Sequence, residues 1–418
     1  MDKRGFLKRL GQIAAVSPFM AYDLSAFEPG PDTYPVSDEE FWKRIRADYA
    51  LKPDYINLEN GYYNIAPLPT MKKFIAHVNE VNYQGSHYMR TVQWENKEKV
   101  AARLAGWLNC GNDELIITRN ATESLDMIIS GFPWKEGEEA IFAEQDYGAM
   151  IDQFEMVSKR YGIVNKIVSV PNQPVDDDEI LALYESQITS RTRLIMICHM
   201  INITGHILPV RKICDMAHSH GVEVLVDGAH CVGHIEVDIA SLNCDYYASS
   251  LHKWLSTPLG AGMLYVSKDK ISQIWPLLAE RDREAGDIRR LNHTGTHPVH
   301  TDLAINDAMD YLEVIGMERK EKRLRYLQRY WSDQLREVEG LSVNTPSDLQ
   351  RSCGIANVGV DHINPGVLAR TLLEEFGVFT VAIDGANVHG CRITPNVYTT
   401  TDELDKFVEA MNTLAMHR

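Results

Sequence analysis

Between residues 114 and 266 the chain alternates short apolar runs with stretches of helical spacing. The runs are ELIIT (114–118), EAIFAE (139–144), KIVSVP (166–171), RLIMICHM (193–200), VEVLVDG (222–228), YYASS (246–250) and AGMLYV (261–266). Runs this continuous suit strands buried on both faces, as in a mostly parallel sheet covered by helices. SLDMIISGF, MIDQFEMVSKRYG and VRKICDMAHSHG stand between several of them, with apolar residues at helical spacing. The order predicts an α/β fold, with a seven-stranded, mostly parallel sheet in a large domain over residues 66–304.

On either side the pattern differs. Upstream, DEEFWKRIRADYA (38–50) reads as a short helix and YINLENGYYNIAP (55–67) as an extended segment punctuated by Gly61 and Pro67. The spacing from Met71 to Leu108 is helical. Downstream of residue 305, Leu324, Leu327, Trp331, Leu335 and Val338 share one face of a long helix that runs toward Gly340. LSVNTP, CGIANVGV and VFTVAI read as strands, and INPGVLARTLLEEFG as a helix stopped by Gly377. Thr400 and Glu403 form a capping box ahead of Leu404, Phe407, Val408, Met411 and Leu414. Residues 305–418 are expected to form a smaller α+β domain, with residues 28–65 packed against it.

Composition narrows the function. The 418 residues carry a formal charge of −16, from 42 Lys plus Arg against 58 Asp plus Glu. That charge repels polyanions and argues against nucleic acid as a partner. The seven cysteines include no CxxC pair, so neither a disulfide framework nor a zinc site is expected, and no metal is implied. No run is long and apolar enough for a transmembrane helix. Residues 1–27 contain Lys3-Arg4-Gly5-Phe6-Leu7-Lys8, similar to a twin-arginine export signal with lysine in place of the first arginine. Periplasmic export and a basic start to a cytoplasmic enzyme both stay open.

The candidate chemistry lies at strand ends. Asp227 closes one apolar run and Lys253 follows the next, so both side chains face one edge of a parallel sheet. In TRNATESL (118–125) a strand passes into a helix, which gives Ala121 and Thr122 free backbone N–H groups suited to a phosphate. HMINITGHILPV (199–210), VDGAH (226–230) and SSLHKW (249–254) resemble the class V aminotransferase family of fold type I pyridoxal-phosphate enzymes. The likeness is strongest to the branch containing isopenicillin N epimerase-like proteins, and it runs in the family's motif order from about residue 55 to about residue 410.

The resemblance implies pyridoxal 5'-phosphate as cofactor, with Lys253 as its Schiff-base lysine and Asp227 as the acid that keeps the pyridine nitrogen protonated. It implies phosphate contacts from Ala121, Thr122, Ser250 and His252, where the imidazole balances phosphate charge, and a ring stacked on the pyridine from Tyr147. Asn202 and His230 match positions near the cofactor's phenolic oxygen and the substrate carboxylate. Many members carry glutamine in place of His230, so the protonation of that ring is an added variable. Arg392 matches the arginine that grips an α-carboxylate, so the ligand is an amino acid or an amino-acid-bearing compound. Thr296, in TGTHPVH, matches a segment that crosses a homodimer interface to the partner's cofactor. VAIDGANVHG (381–390), ahead of Arg392, lacks the nucleophilic cysteine of the family's desulfurases. The expected reaction is therefore at the α-carbon and not a cysteine desulfuration: aminotransfer first, with epimerisation or C–S lysis as alternatives.

Overall fold

The structure, a computed structural model, describes residues 36–280 and 282–416; the segment 1–27, read as an export signal or a basic N-terminal tail, lies outside the described residues. The strands are β1 (Ile56–Asn57), β2 (Leu115–Thr118), β3 (Glu139–Ala143), β4 (Val164–Val168), β5 (Thr192–Cys198), β6 (Glu223–Asp227), β7 (Tyr246–Ser250), β8 (Gly262–Val266), β9 (Leu341–Val343), β10 (Ala356–Val360), β11 (Val378–Phe379), β12 (Val381–Gly385) and β13 (Val388–Ile393). Seven of them form one sheet in the order β2-β8-β7-β6-β5-β3-β4. Strands β4, β3, β5, β6 and β7 pair in parallel. β8 runs antiparallel to both of its neighbours. The α/β fold and the mostly parallel seven-stranded sheet are those the apolar runs predict.

The central strands are buried and mainly apolar because helices cover both faces. β2, β3 and β7 are buried along their whole length, whereas the edge strand β4 is largely open, with Val164 and Ile167 exposed. Helices α1 (Glu39–Arg46), α2 (Leu68–Gln84) and α3 (Gln93–Trp107) precede the sheet. The single helical stretch expected from Met71 to Leu108 is broken at Gly85, whose φ of 55° cannot continue a right-handed helix, and a short helix over Ser86–Thr91 fills the gap. α4 (Ala121–Gly131) follows β2, α5 (Gly148–Tyr161) follows β3, α6 (Asp177–Glu185) precedes β5 and α7 (Val210–Ser219) precedes β6.

A second core lies around the antiparallel sheet β12-β13-β10-β9. Helices α8 (Val299–Ile315) and α9 (Met317–Leu335) lead into it, and α10 (Pro365–Phe376) and α11 (Thr401–Met416) complete it. Leu327, Trp331 and Leu335 of α9 pack with Leu368, Leu372, Phe407 and Met411, and Leu58 from the N-terminal segment joins them. The capping box is made: Glu403 N donates to Thr400 Oγ1 at 3.3 Å and Thr400 N to Glu403 Oε2 at 3.0 Å. β1 pairs in parallel with β11, which brings the segment after it to the carboxyl edge of the large sheet.

Candidate active site

A cavity of about 310 Å³ opens at that edge, lined by Ala121, Thr122, Tyr147, Asn202, Asp227, His230, Ser250, His252, Lys253 and Arg392. Ten of the eleven residues singled out in the sequence therefore meet in one place. Thr296 is exposed and does not line the cavity of its own chain. A larger cavity of about 630 Å³, beside Trp94 and Arg289, contains none of these residues.

Parallel strands fix the centre of the site. Asp227 is the last residue of β6, buried, with Oδ1 accepting from Ala229 N at 2.9 Å. Burial pushes its carboxyl up, against the Ala229 hydrogen bond and the positive charge of Lys253. Lys253 stands on the turn after β7. Burial brings its amine down to about 8, the nearby Asp227 carboxylate opposing and Arg392 assisting. A lysine near that value keeps a useful fraction of free amine at neutral pH.

His230 sits between Lys253 and Trp254. Its Nε2 lies 2.9 Å from Lys253 Nζ, and its Nδ1 accepts the indole N–H of Trp254 at 3.3 Å. Indole only donates, so Nδ1 is unprotonated and the proton of the neutral ring is on Nε2. Burial, then the charge of Lys253, holds this ring well below the ordinary imidazole range. Trp254 is in turn stacked on His234 at 3.7 Å, and His234 Nε2 accepts from Gly354 N at 2.8 Å. The layer beneath the lysine thus has one arrangement of protons.

The start of α4 supplies the anion site. Ala121 N donates to Ser250 Oγ at 2.9 Å, while Asn120 Oδ1 caps Glu123 N at 2.8 Å. Thr122 N, in the first turn, has no carbonyl one turn back to bond. His252 Nδ1 lies 3.1 Å from the Ala261 carbonyl and so carries the proton. Burial, then Lys253, brings this imidazole down to about 4. A phosphate bound beside it would raise its affinity for a second proton, the setting in which the resemblance has it balance charge.

Pyridoxal phosphate fits these residues. Asn202 Oδ1 is buried without a protein partner beside the cavity, Asp227 places a buried carboxyl on its lining, and Lys253 offers its amine. Tyr147, at the N-terminus of α5, is 44% exposed and forms one wall. Tyr62 and Leu259 stand at the mouth, both largely exposed.

Three contributors were not singled out in the sequence. Glu59 pairs with Arg392, its Oε1 2.5 Å from Nη2 and its Oε2 3.2 Å from Nε. Trp254 was quoted only as part of a motif, although its indole orients His230. Arg119 lines the cavity, paired with Glu123 at 2.8 Å. A carboxylate about 330 residues before its partner leaves no periodic trace; only the extended LENG stretch beside Gly61 marked the region.

Comparison with known proteins follows this geometry. The family model described as Aminotransferase class-V matches residues 67–407. The chain is 27% identical over 399 residues to an isopenicillin N epimerase of Streptomyces clavuligerus, covering 89% of this chain and 98% of that protein. It is 26% identical over 331 residues to a probable cysteine desulfurase of Halalkalibacterium halodurans, covering 75% and 79%. Among solved structures, C-DES with glycine covalently linked to its pyridoxal-phosphate cofactor superposes with a TM-score of 0.79 at 21% identity, over 88% of this chain and 98% of that one.

Proposed function

The chain belongs to the aminotransferase class-V family, and on that premise we propose that it acts at the α-carbon of an amino acid or amino-acid-bearing compound, with aminotransfer as its reaction. It is a pyridoxal-phosphate-dependent enzyme. When bound, the cofactor withdraws electrons from the substrate α-carbon and makes its proton labile. The observation that carries the proposal is the Lys253 amine, brought down to about 8 at the mouth of β7 and bonded to His230 at 2.9 Å.

In this reading Lys253 takes the α-proton and returns it to a neighbouring carbon, as a base poised near neutral pH can. Asp227 would hold the ring nitrogen protonated, Asn202 and His230 would hydrogen-bond the phenolic oxygen, and Tyr147 would cover the ring. Thr122, Ser250 and His252 would hold the phosphate; the Ala121 N–H, expected to be free, is taken by Ser250 Oγ, so Ala121 would contribute by holding that hydroxyl, and Arg392 would orient the carboxyl end of the substrate. A homodimer in which Thr296 reaches the partner's phosphate completes the site.

Chemistry at Cα rather than at sulfur is supported by the thiols. The loop before Arg392 (381–390) contains no cysteine, and Cys391 is fully buried with its sulfur 3.8 Å from Pro365 O. Cys198, at the cavity floor, is 2% exposed, and burial, then Asp146, pushes its thiol well above the ordinary range. An attacking thiolate needs the opposite setting. Epimerisation is the second reading, supported by the likeness to an isopenicillin N epimerase over 98% of that protein.

The test is an amino-acid panel in deuterated water. Deuterium exchange at Cα with ketoacid formation supports aminotransfer, and exchange with inversion and no ketoacid supports epimerisation. Release of sulfide from cysteine, with no exchange in other amino acids, refutes both.

A further inference from the structure

Arg392 does not meet the cavity as a bare cation. Glu59 takes the Nε and Nη2 protons on one side of its fork, and the two side chains are 6% and 8% exposed. Glu59 is itself held, with Oε1 accepting from Tyr62 N at 2.9 Å. The segment around it is sewn to the end of β13: Asn60 Nδ2 donates to Thr394 O at 2.7 Å and Thr394 N to Leu58 O at 2.8 Å. Gly61 lies so close to the guanidinium that a Cβ there would come within 2.7 Å of Cζ. A third N–H, on Nη1, goes to Asn202 O at 3.2 Å. Of the five N–H bonds of a guanidinium, two, one on Nη1 and one on Nη2, are left for a ligand. Arg392 lines the cavity and Glu59 does not, so the counter-charge stands behind the recognition edge.

We infer that Glu59 sets substrate specificity: it cancels the Arg392 charge from behind, so the carboxyl end of the substrate is read by hydrogen bonds. A neutral carbonyl, in an amide or peptide-linked amino acid, is then accepted alongside a free carboxylate. A carboxylate approaching the pair is drawn by Arg392 and repelled by Glu59 across a poorly screened interior. An amide oxygen accepts the same two N–H bonds without that repulsion. Specificity is the difference between these two costs.

The inference rests on the Cα reading above. The experiment uses the holoenzyme and matched pairs, L-alanine with L-alaninamide and L-phenylalanine with L-phenylalaninamide. Dissociation constants are measured by calorimetry, with kcat and KM where turnover occurs. In the wild type the acid and the amide of a pair are expected to bind within about tenfold of each other. Glu59→Gln should tighten the acid by about tenfold and leave the amide little changed, while Glu59→Asp should keep the wild-type ratio. A wild type that favours the acids by more than about a hundredfold, or that binds neither form, overturns the inference. Equal weakening of both forms by Glu59→Gln overturns it too, because a merely structural Glu59 predicts that result. Failure of the Cα reading looks different: cysteine would release sulfide while other amino acids show no deuterium exchange at Cα. With exchange at Cα observed and the ratios against expectation, only the specificity inference falls.

Discussion

His230 Nε2 lies 2.9 Å from Lys253 Nζ, while Nδ1 of the same ring accepts the Trp254 indole proton at 3.3 Å. The indole therefore decides which nitrogen faces the lysine: an N–H points at an amine that must accept it, which favours the uncharged amine. Trp254→Phe removes this constraint and lets Nδ1 take the proton, so that the Nε2 lone pair faces Lys253 and favours the ammonium. The rate at which the apoenzyme attaches pyridoxal phosphate should rise with pH around a midpoint near 8 in the wild type, and around a higher midpoint in the variant. Coincident profiles would mean that the tautomer does not tune the lysine.

On the proposed reading Lys253 and Asp227 act on the cofactor differently, and their variants should separate. Lys253→Ala is expected to leave no cofactor fixed by borohydride, read by peptide mass spectrometry. Asp227→Asn removes a buried charge but keeps the Ala229 hydrogen bond open to Oδ1. It should retain cofactor while losing about 10²–10⁴-fold in turnover, the range for a group that stabilises developing charge or moves a proton. Turnover within a few-fold of wild type would end the electron-sink assignment.

The large sheet was legible because its strands are buried on both faces, so YYASS and RLIMICHM read as strands from apolar content alone. The residues that meet in the candidate cavity were legible where a motif sits at a strand end, as with Asp227 and Lys253. Gly85 illustrates the first kind of miss: its left-handed φ ends a helix that apolar spacing alone would carry on to Leu108. Glu59 and Trp254 illustrate the second. Their roles come from neighbours brought together by the fold, and a hydrogen bond between residues 59 and 392 has no period to read.

The second core should be the more sensitive to truncation at one residue. Trp331 is fully buried and meets Phe407 edge-on at 5.3 Å. Trp331→Ala is expected to cost about 3–5 kcal/mol through lost burial and the cavity left behind. Trp331→Phe should cost much less than that, because the indole N–H has no protein partner to lose. Urea unfolding measures both. Equal losses in the two variants would show that the core does not depend on the volume filled here.

Glu139, at the start of β3, should make stability fall in acid. Its carboxylate is fully buried and accepts from Lys166 at 2.8 Å, Arg191 at 2.8 Å, Thr189 at 2.6 Å and Thr192 at 3.0 Å. Burial opposes the charge, but these donors, Lys166 foremost, outweigh it and bring the carboxyl from 4.5 down to about 2. The folded-state value is depressed, so the stabilisation is fully present above about 4.5, where the unfolded chain is also ionised. It is lost as pH falls from there through 2, because the unfolded chain takes up the proton first. Arg191 is 65% exposed and its pairing is screened, so the contribution at pH 7 is on the order of 2 kcal/mol. Glu139→Gln should therefore be less stable than wild type at pH 7, and the gap between their urea midpoints should narrow steadily between pH 5 and about 2. A gap independent of pH would assign the loss to packing or to the added amide donor rather than to the buried charge.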